Sequence, residues 1–128
     1  MPGPDRPAAP RLIDVAALQA AIERFARERE WTQFHSPKNL AMALTGEVGE
    51  LVELFQWLTE EASHEVGRDP RTARAVRDEL ADVQIYLARL AAVLGVDLDE
   101  AVTTKLASNA RRYPVEQARG KNDKSMLR

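Results

Sequence analysis

Four carboxylates fall in two short motifs of matching spacing, Glu47-Val-Gly-Glu50 and Glu79-Leu-Ala-Asp82. On a helix, acids three residues apart share one face, one turn from each other. Two such helices packed together would gather all four acids in one cleft. Left unneutralised, that cluster carries a cost in desolvation and mutual repulsion. A divalent cation offsets it, and hard ions such as Mg2+ or Mn2+ take oxygen ligands. Neither motif contains histidine, which argues against a di-iron site of the Glu-x-x-His type. The plainer alternative, a solvated acidic face, suits a single Glu-x-x-Glu better than two copies in matched phase.

Phase follows from placing residues about 100° apart around each helix axis. Around the first motif, Leu40, Leu44, Val48, Leu51, Leu54, Phe55 and Leu58 form one apolar arc. Glu47 lies inside that arc, and Glu50 at its edge near Trp57. Around the second, Val76, Leu80, Val83, Tyr86, Leu87, Leu90, Val93 and Leu94 form the arc. Glu79 lies inside it and Asp82 at its edge. Further on, Lys105, Asn109 and Arg112 fall on one side of a helix, with Leu98, Ala101 and Val102. Such a lysine can simply snorkel to water. Opposite four acids, the cationic stripe also suits the second jaw of a phosphate-and-metal clamp. Trp31, Phe34, His35, Trp57 and Tyr86 are either core or a stacking platform for a base beside a phosphate site. His35 as a general base is the weaker alternative, because the carboxylates already provide one.

The elements that must position these groups are all helical. A first helix is expected from an Asp14 cap to about Glu30. Ser36-Pro37 supplies a capping hydroxyl and a proline at the first helical position, so a second helix is expected from there to about Ser63. Asp69-Pro70 repeats the signal for a third, ending at Gly95. Asp97 with Glu100 opens a fourth, which Tyr113-Pro114 ends. The expected fold is all-α, a four-helix bundle. Gly46 and Gly49 sit inside a helix, at about 1 kcal/mol each relative to alanine. Close helix packing, within the chain or across a subunit interface, is the simplest reason for them. The expected organisation is a proline-rich disordered arm over residues 1–12, a domain over 13–114 and a flexible basic tail over 115–128.

Composition narrows the class. A chain of 128 residues suits one domain. A net charge of −2 gives no general pull toward nucleic acid. Without cysteine, disulfides and thiolate metal sites are excluded. No apolar run reaches membrane-spanning length, and the N-terminus lacks a signal-peptide core. A cytoplasmic protein with neither membrane nor nucleic-acid partner is expected.

These motifs resemble those of the MazG-like all-α nucleoside triphosphate pyrophosphohydrolases. The stretch from Trp31 to Trp57, together with Asp78–Leu87 and Lys105–Pro114, looks more specifically like the branch that acts on dCTP. The likeness spans roughly residues 14–114. It implies cleavage between the α- and β-phosphates, giving a nucleoside monophosphate and pyrophosphate. By position, Glu47, Glu50, Glu79 and Asp82 would bind Mg2+, or alternatively Mn2+. Glu50, with Glu47, would be catalytic, and Glu50 would orient or deprotonate the attacking water. Lys105, Asn109 and Arg112 would hold phosphates. Trp31, His35, Asn39, Trp57 and Tyr86 would line the base and sugar pocket. The chain departs from some relatives at Ile22, where they carry a histidine. The resemblance also implies a homo-oligomer, with a tetramer of paired dimers favoured over a dimer. The expected role is nucleotide-pool sanitation through dCTP or modified dCTP. The alternatives are a broad-specificity enzyme, one for dUTP or damaged purine nucleotides, and a non-catalytic helical interaction module.

Overall fold

Every regular element among the described residues, 14–121 of the computed structural model, is helical. The arm expected over residues 1–12 and the last part of the expected tail lie outside them. The chain divides into two compact units, Val15–Val96 and one holding the segment from Asp97 onward.

In the first unit, α1 spans Val15–Glu28. It ends in a Schellman turn: the Trp31 N–H reaches the Ala26 carbonyl at 2.8 Å and the Glu30 N–H reaches that of Arg27 at 3.0 Å. The residue that makes this turn possible is Glu30, at φ +55°, where glycine is the usual occupant. A 3-10 turn, Thr32–Phe34, follows. The Ser36 hydroxyl then accepts the Asn39 N–H at 3.1 Å and opens α2, Pro37–Glu53, as the Ser-Pro signal predicts.

The second helix is shorter than expected. It stops at Glu53, where the Leu54 N–H bends back to the carbonyls of Leu51 and Val52, and tight turns carry the chain past Trp57. The physical reason is a second cap inside the expected run. Thr59 accepts the Ala62 N–H at 3.1 Å and starts a separate turn, α3 (Glu60–Ser63), with Glu60 and Glu61 favourably placed at its N-terminus. The next helix also starts later than Asp69-Pro70 suggests. Asp69 folds onto its own loop, accepting the Arg71 N–H at 2.9 Å and pairing with its guanidinium. Regular helix, α4, runs Ala73–Val93. Gly95, at φ +69°, closes α4 with a Schellman turn in which the Val96 N–H reaches the Ala91 carbonyl at 2.9 Å.

The core of this unit lies where α4 packs against α2 and α1. Leu40, 2 % exposed, is its most deeply buried large side chain; full burial of such a leucine contributes about 2 kcal/mol. Ala26, Ala88 and Ala91 are buried as well, and small side chains let helices approach closely. Gln19 adds a tie by donating to the Ala88 carbonyl at 2.9 Å. Much of the apolar arcs stays uncovered: Val48, Leu58, Leu80, Leu87 and Leu94 are all exposed. Among the described residues, nothing approaches the space a side chain would fill at Gly46 or Gly49, so neither glycine serves a close contact there.

In the second unit, Asp97 accepts the Glu100 N–H at 3.0 Å and opens α5, Leu98–Arg112. Acids in its first turn and Arg111 and Arg112 in its last complement the helix dipole. Tyr113-Pro114 ends it, and one further turn, α6, spans Val115–Ala118 within the segment expected to be tail.

Candidate active site

The pairing of α2 with α4 brings the two acidic motifs together. Glu47, Glu50 and Glu79 each offer an oxygen, and the three oxygens all lie within 4.8 Å of one another. Asp82 stands one turn along α4 from Glu79, half-buried. It is not part of that tight group, but its charge reaches Glu47.

The electrostatics are those of acids crowded by design of the fold. The Oε2 atoms of Glu47 and Glu79 are buried and have no hydrogen-bond partner. The hydrogen bond with Glu47 is the main influence on Glu79; with burial and the nearby Glu50 it pushes the Glu79 carboxyl up to about 7. That same bond lowers the Glu47 carboxyl, but burial and the charges of Glu50 and Asp82 outweigh it, so Glu47 too stands above the ordinary range. Crowding and burial thus disfavour the charged form of both carboxyls. Two orphaned buried oxygens among close carboxylates are the donor set that a hard divalent cation satisfies, so these residues fit such an ion.

The same unit also holds a cavity of about 100 Å3. Trp31, His35 and Tyr86 line it, together with Ile22, Phe25 and Arg89. The Schellman turn after α1 explains the position of Trp31. By returning to Ala26, the chain sets the indole edge-on to Phe25, with ring centroids 5.7 Å apart. Two residues expected in this pocket do not line it. The Asn39 amide is used locally, donating to the Phe34 carbonyl at 3.0 Å. Trp57, 87 % exposed, stands on the turns after α2.

Sequence reasoning missed Arg89 and Glu23. Arg89 is only 7 % exposed, donates its Nε–H to His35 Nδ1 at 3.0 Å, and pairs with Glu23. The available signal was spacing: Arg89 lies three residues after Tyr86 and seven after Asp82, on the same side of α4.

In the second unit, Lys105, Asn109 and Arg112 share one side of α5 through their spacing of four and three residues. Lys105 and Arg112 are exposed and Asn109 half-buried.

An all-helical fold carrying this carboxylate cluster defines a class, and the chain belongs to the MazG-like family, whose model matches residues 43–126. The chain is similar to dCTP pyrophosphatase 1 of Bos taurus, 50% identical over 111 residues, covering 87% of this chain and 64% of that protein. It is likewise 50% identical over 115 residues to dCTP pyrophosphatase 1 of Homo sapiens, covering 90% of this chain and 66% of the relative. The chain thus spans somewhat under two thirds of the length of these curated relatives. Among solved structures it resembles a pyrophosphatase from Archaeoglobus fulgidus DSM 4304, with a TM-score of 0.72 and 36% identity, covering 84% of this chain and 99% of that one.

Proposed function

We propose that the chain is a Mg2+-dependent nucleoside triphosphate pyrophosphohydrolase that prefers dCTP or modified dCTP. The observation that carries this reading is the carboxylate cluster, with its two orphaned buried oxygens. The named activity of the relatives supports the choice of nucleotide. Glu47, Glu50, Glu79 and Asp82 would hold the cation, with Mn2+ as a substitute. When bound, the ion supplies charge neutralisation of the phosphate oxygens and acidifies water.

The chain's own residues do the rest. Glu50 is the exposed member of the cluster. It is therefore the carboxylate best placed to orient a solvent water and accept its proton as the water oxygen bonds to phosphorus. The bond between that phosphorus and the bridging oxygen breaks, and the electron pair leaves with pyrophosphate. Lys105, Asn109 and Arg112 would meet the charge that develops on this leaving group. Trp31, His35 and Tyr86 would hold the base in their cavity. The geometry supports a smaller or more peripheral part for Asn39 and Trp57, such as contact with sugar or with a neighbouring subunit.

The exposed apolar arcs and the open Gly46 and Gly49 support a homo-oligomer, a tetramer of paired dimers before a dimer. No helix among the described residues is long and apolar enough to cross a membrane. A cytoplasmic role in sanitising the nucleotide pool fits this substrate.

The test is turnover of a nucleotide panel in Mg2+: dCTP, methylated dCTP, dUTP, dTTP and oxidised purine triphosphates. We expect dCTP and its modified forms to be hydrolysed fastest. Equal turnover across the panel would replace this reading with a broad-specificity one. No turnover of any nucleotide would leave the helical interaction module.

A further inference from the structure

Arg89 and Glu23 have no part in the carboxylate chemistry, yet a buried guanidinium is costly unless its donors are satisfied. Arg89 satisfies two of them in a directional way. One goes to Glu23 on α1 and the other, Nε–H, to His35 Nδ1 at 3.0 Å. Arginine has donors and no acceptor. The bond to His35 therefore requires a bare Nδ1, and the ring proton of the neutral imidazole must sit on Nε2.

We infer that Arg89 is a positioning residue: it locks His35 in the Nε2–H form, so that the cavity offers a hydrogen-bond donor to an acceptor edge of the nucleobase. The inference rests on the nucleotide reading above and deepens it. His35 and Arg89 both line the cavity. With Nδ1 engaged, Nε2–H is the ring group left to meet a ligand. Burial and the Arg89 charge both hold His35 below its ordinary value, against the opposing influence of Glu23, so the ring is neutral when the lock acts.

Base chemistry then gives a direction to the selectivity. Cytosine presents adjacent acceptors, O2 and N3. Uracil and thymine carry a hydrogen on N3, which a fixed donor repels. A free imidazole could move its proton to Nδ1 and accept that hydrogen; a locked one cannot. Arg89 thus biases the pocket toward cytosine without contacting the reacting phosphates.

Side-chain nitrogen NMR of the full ligand-free chain tests the lock directly. The chain has two histidines, and exposed His64 is the internal reference. We expect His35 to show a protonated Nε2 and a bare Nδ1. Arg89→Met, which keeps a long side chain in the space, should shift His35 toward the averaged pattern of His64. A protonated Nδ1 in the unaltered chain, or an unchanged pattern in a folded Arg89→Met, overturns the lock.

The second readout is the ratio of kcat/KM for dCTP over dUTP. Arg89→Met should lower that ratio about tenfold, the effect of one mismatched buried hydrogen-bonding group, mainly through KM. His35→Gln keeps an N–H donor and should retain most of the ratio. If Arg89→Met leaves the ratio unchanged, or His35→Gln loses it just as fully, the selectivity role is overturned. Because the NMR pattern needs no substrate, a correct pattern in a chain that hydrolyses nothing would support the lock and sink the proposed function instead.

Discussion

Glu50 and Glu79 divide the work of the carboxylate cluster between exposure and burial. Glu50→Gln keeps the shape of the side chain and removes the carboxylate proposed to act as base, so hydrolysis should fall by about a hundredfold or more. Circular dichroism should stay unchanged. Near-normal turnover in that variant would move water activation elsewhere. Glu79 gives a pH signature. Its folded-state carboxyl stands at about 7 against an ordinary 4.5, so between these values the folded chain holds a proton that the unfolded chain has released. Stability contributed by protonated Glu79 is therefore lost as pH rises through this window. The metal-free Tm should fall from about pH 5 to about pH 8, and Glu79→Gln should flatten that slope. Added Mg2+ should raise Tm more at the upper end, because it needs the deprotonated ligands. A metal-free Tm that climbs across the window would contradict this account. The acids were legible in the sequence because a charge inside an apolar arc breaks its pattern. Arg89 was not, since its partners His35 and Glu23 lie 54 and 66 positions away and only packing brings them together.

Helix boundaries show the same division between local and non-local causes. Ser36-Pro37, Asp97 and Gly95 act through side-chain and backbone chemistry within a few residues, and each marks the boundary the sequence predicts. The end of α2 depends on competition between two caps along one apolar run. Periodicity alone does not reveal that Thr59 prevails over helix continuity. The end of α1 gives a test at this scale. Glu30 holds a left-handed conformation that costs a non-glycine residue about 1–2 kcal/mol. Glu30→Gly should raise thermal stability, by up to about 1 kcal/mol after glycine's greater freedom in the unfolded chain is subtracted. The reverse change, Gly95→Ala at φ +69°, should lower it by about 1 kcal/mol. Thermal melts of the two variants moving in the same direction would show that these turns do not control the helix ends.

For the whole molecule, the described residues cover only part of each apolar arc read from the sequence. The arcs alone could not distinguish burial inside a chain from burial between chains. Val52 and Leu80, 51% and 53% exposed, sit on the helices that carry the acids. Light scattering should find an oligomer, and Val52→Asp with Leu80→Asp should reduce its mass. A monomeric unaltered chain would leave these arcs unexplained. The proposed reaction cleaves between the α- and β-phosphates. Incubating the chain with dCTP and Mg2+ and resolving the products by phosphorus NMR tests it most directly. dCMP and pyrophosphate should appear in equal amounts; dCDP and inorganic phosphate would contradict cleavage at that bond.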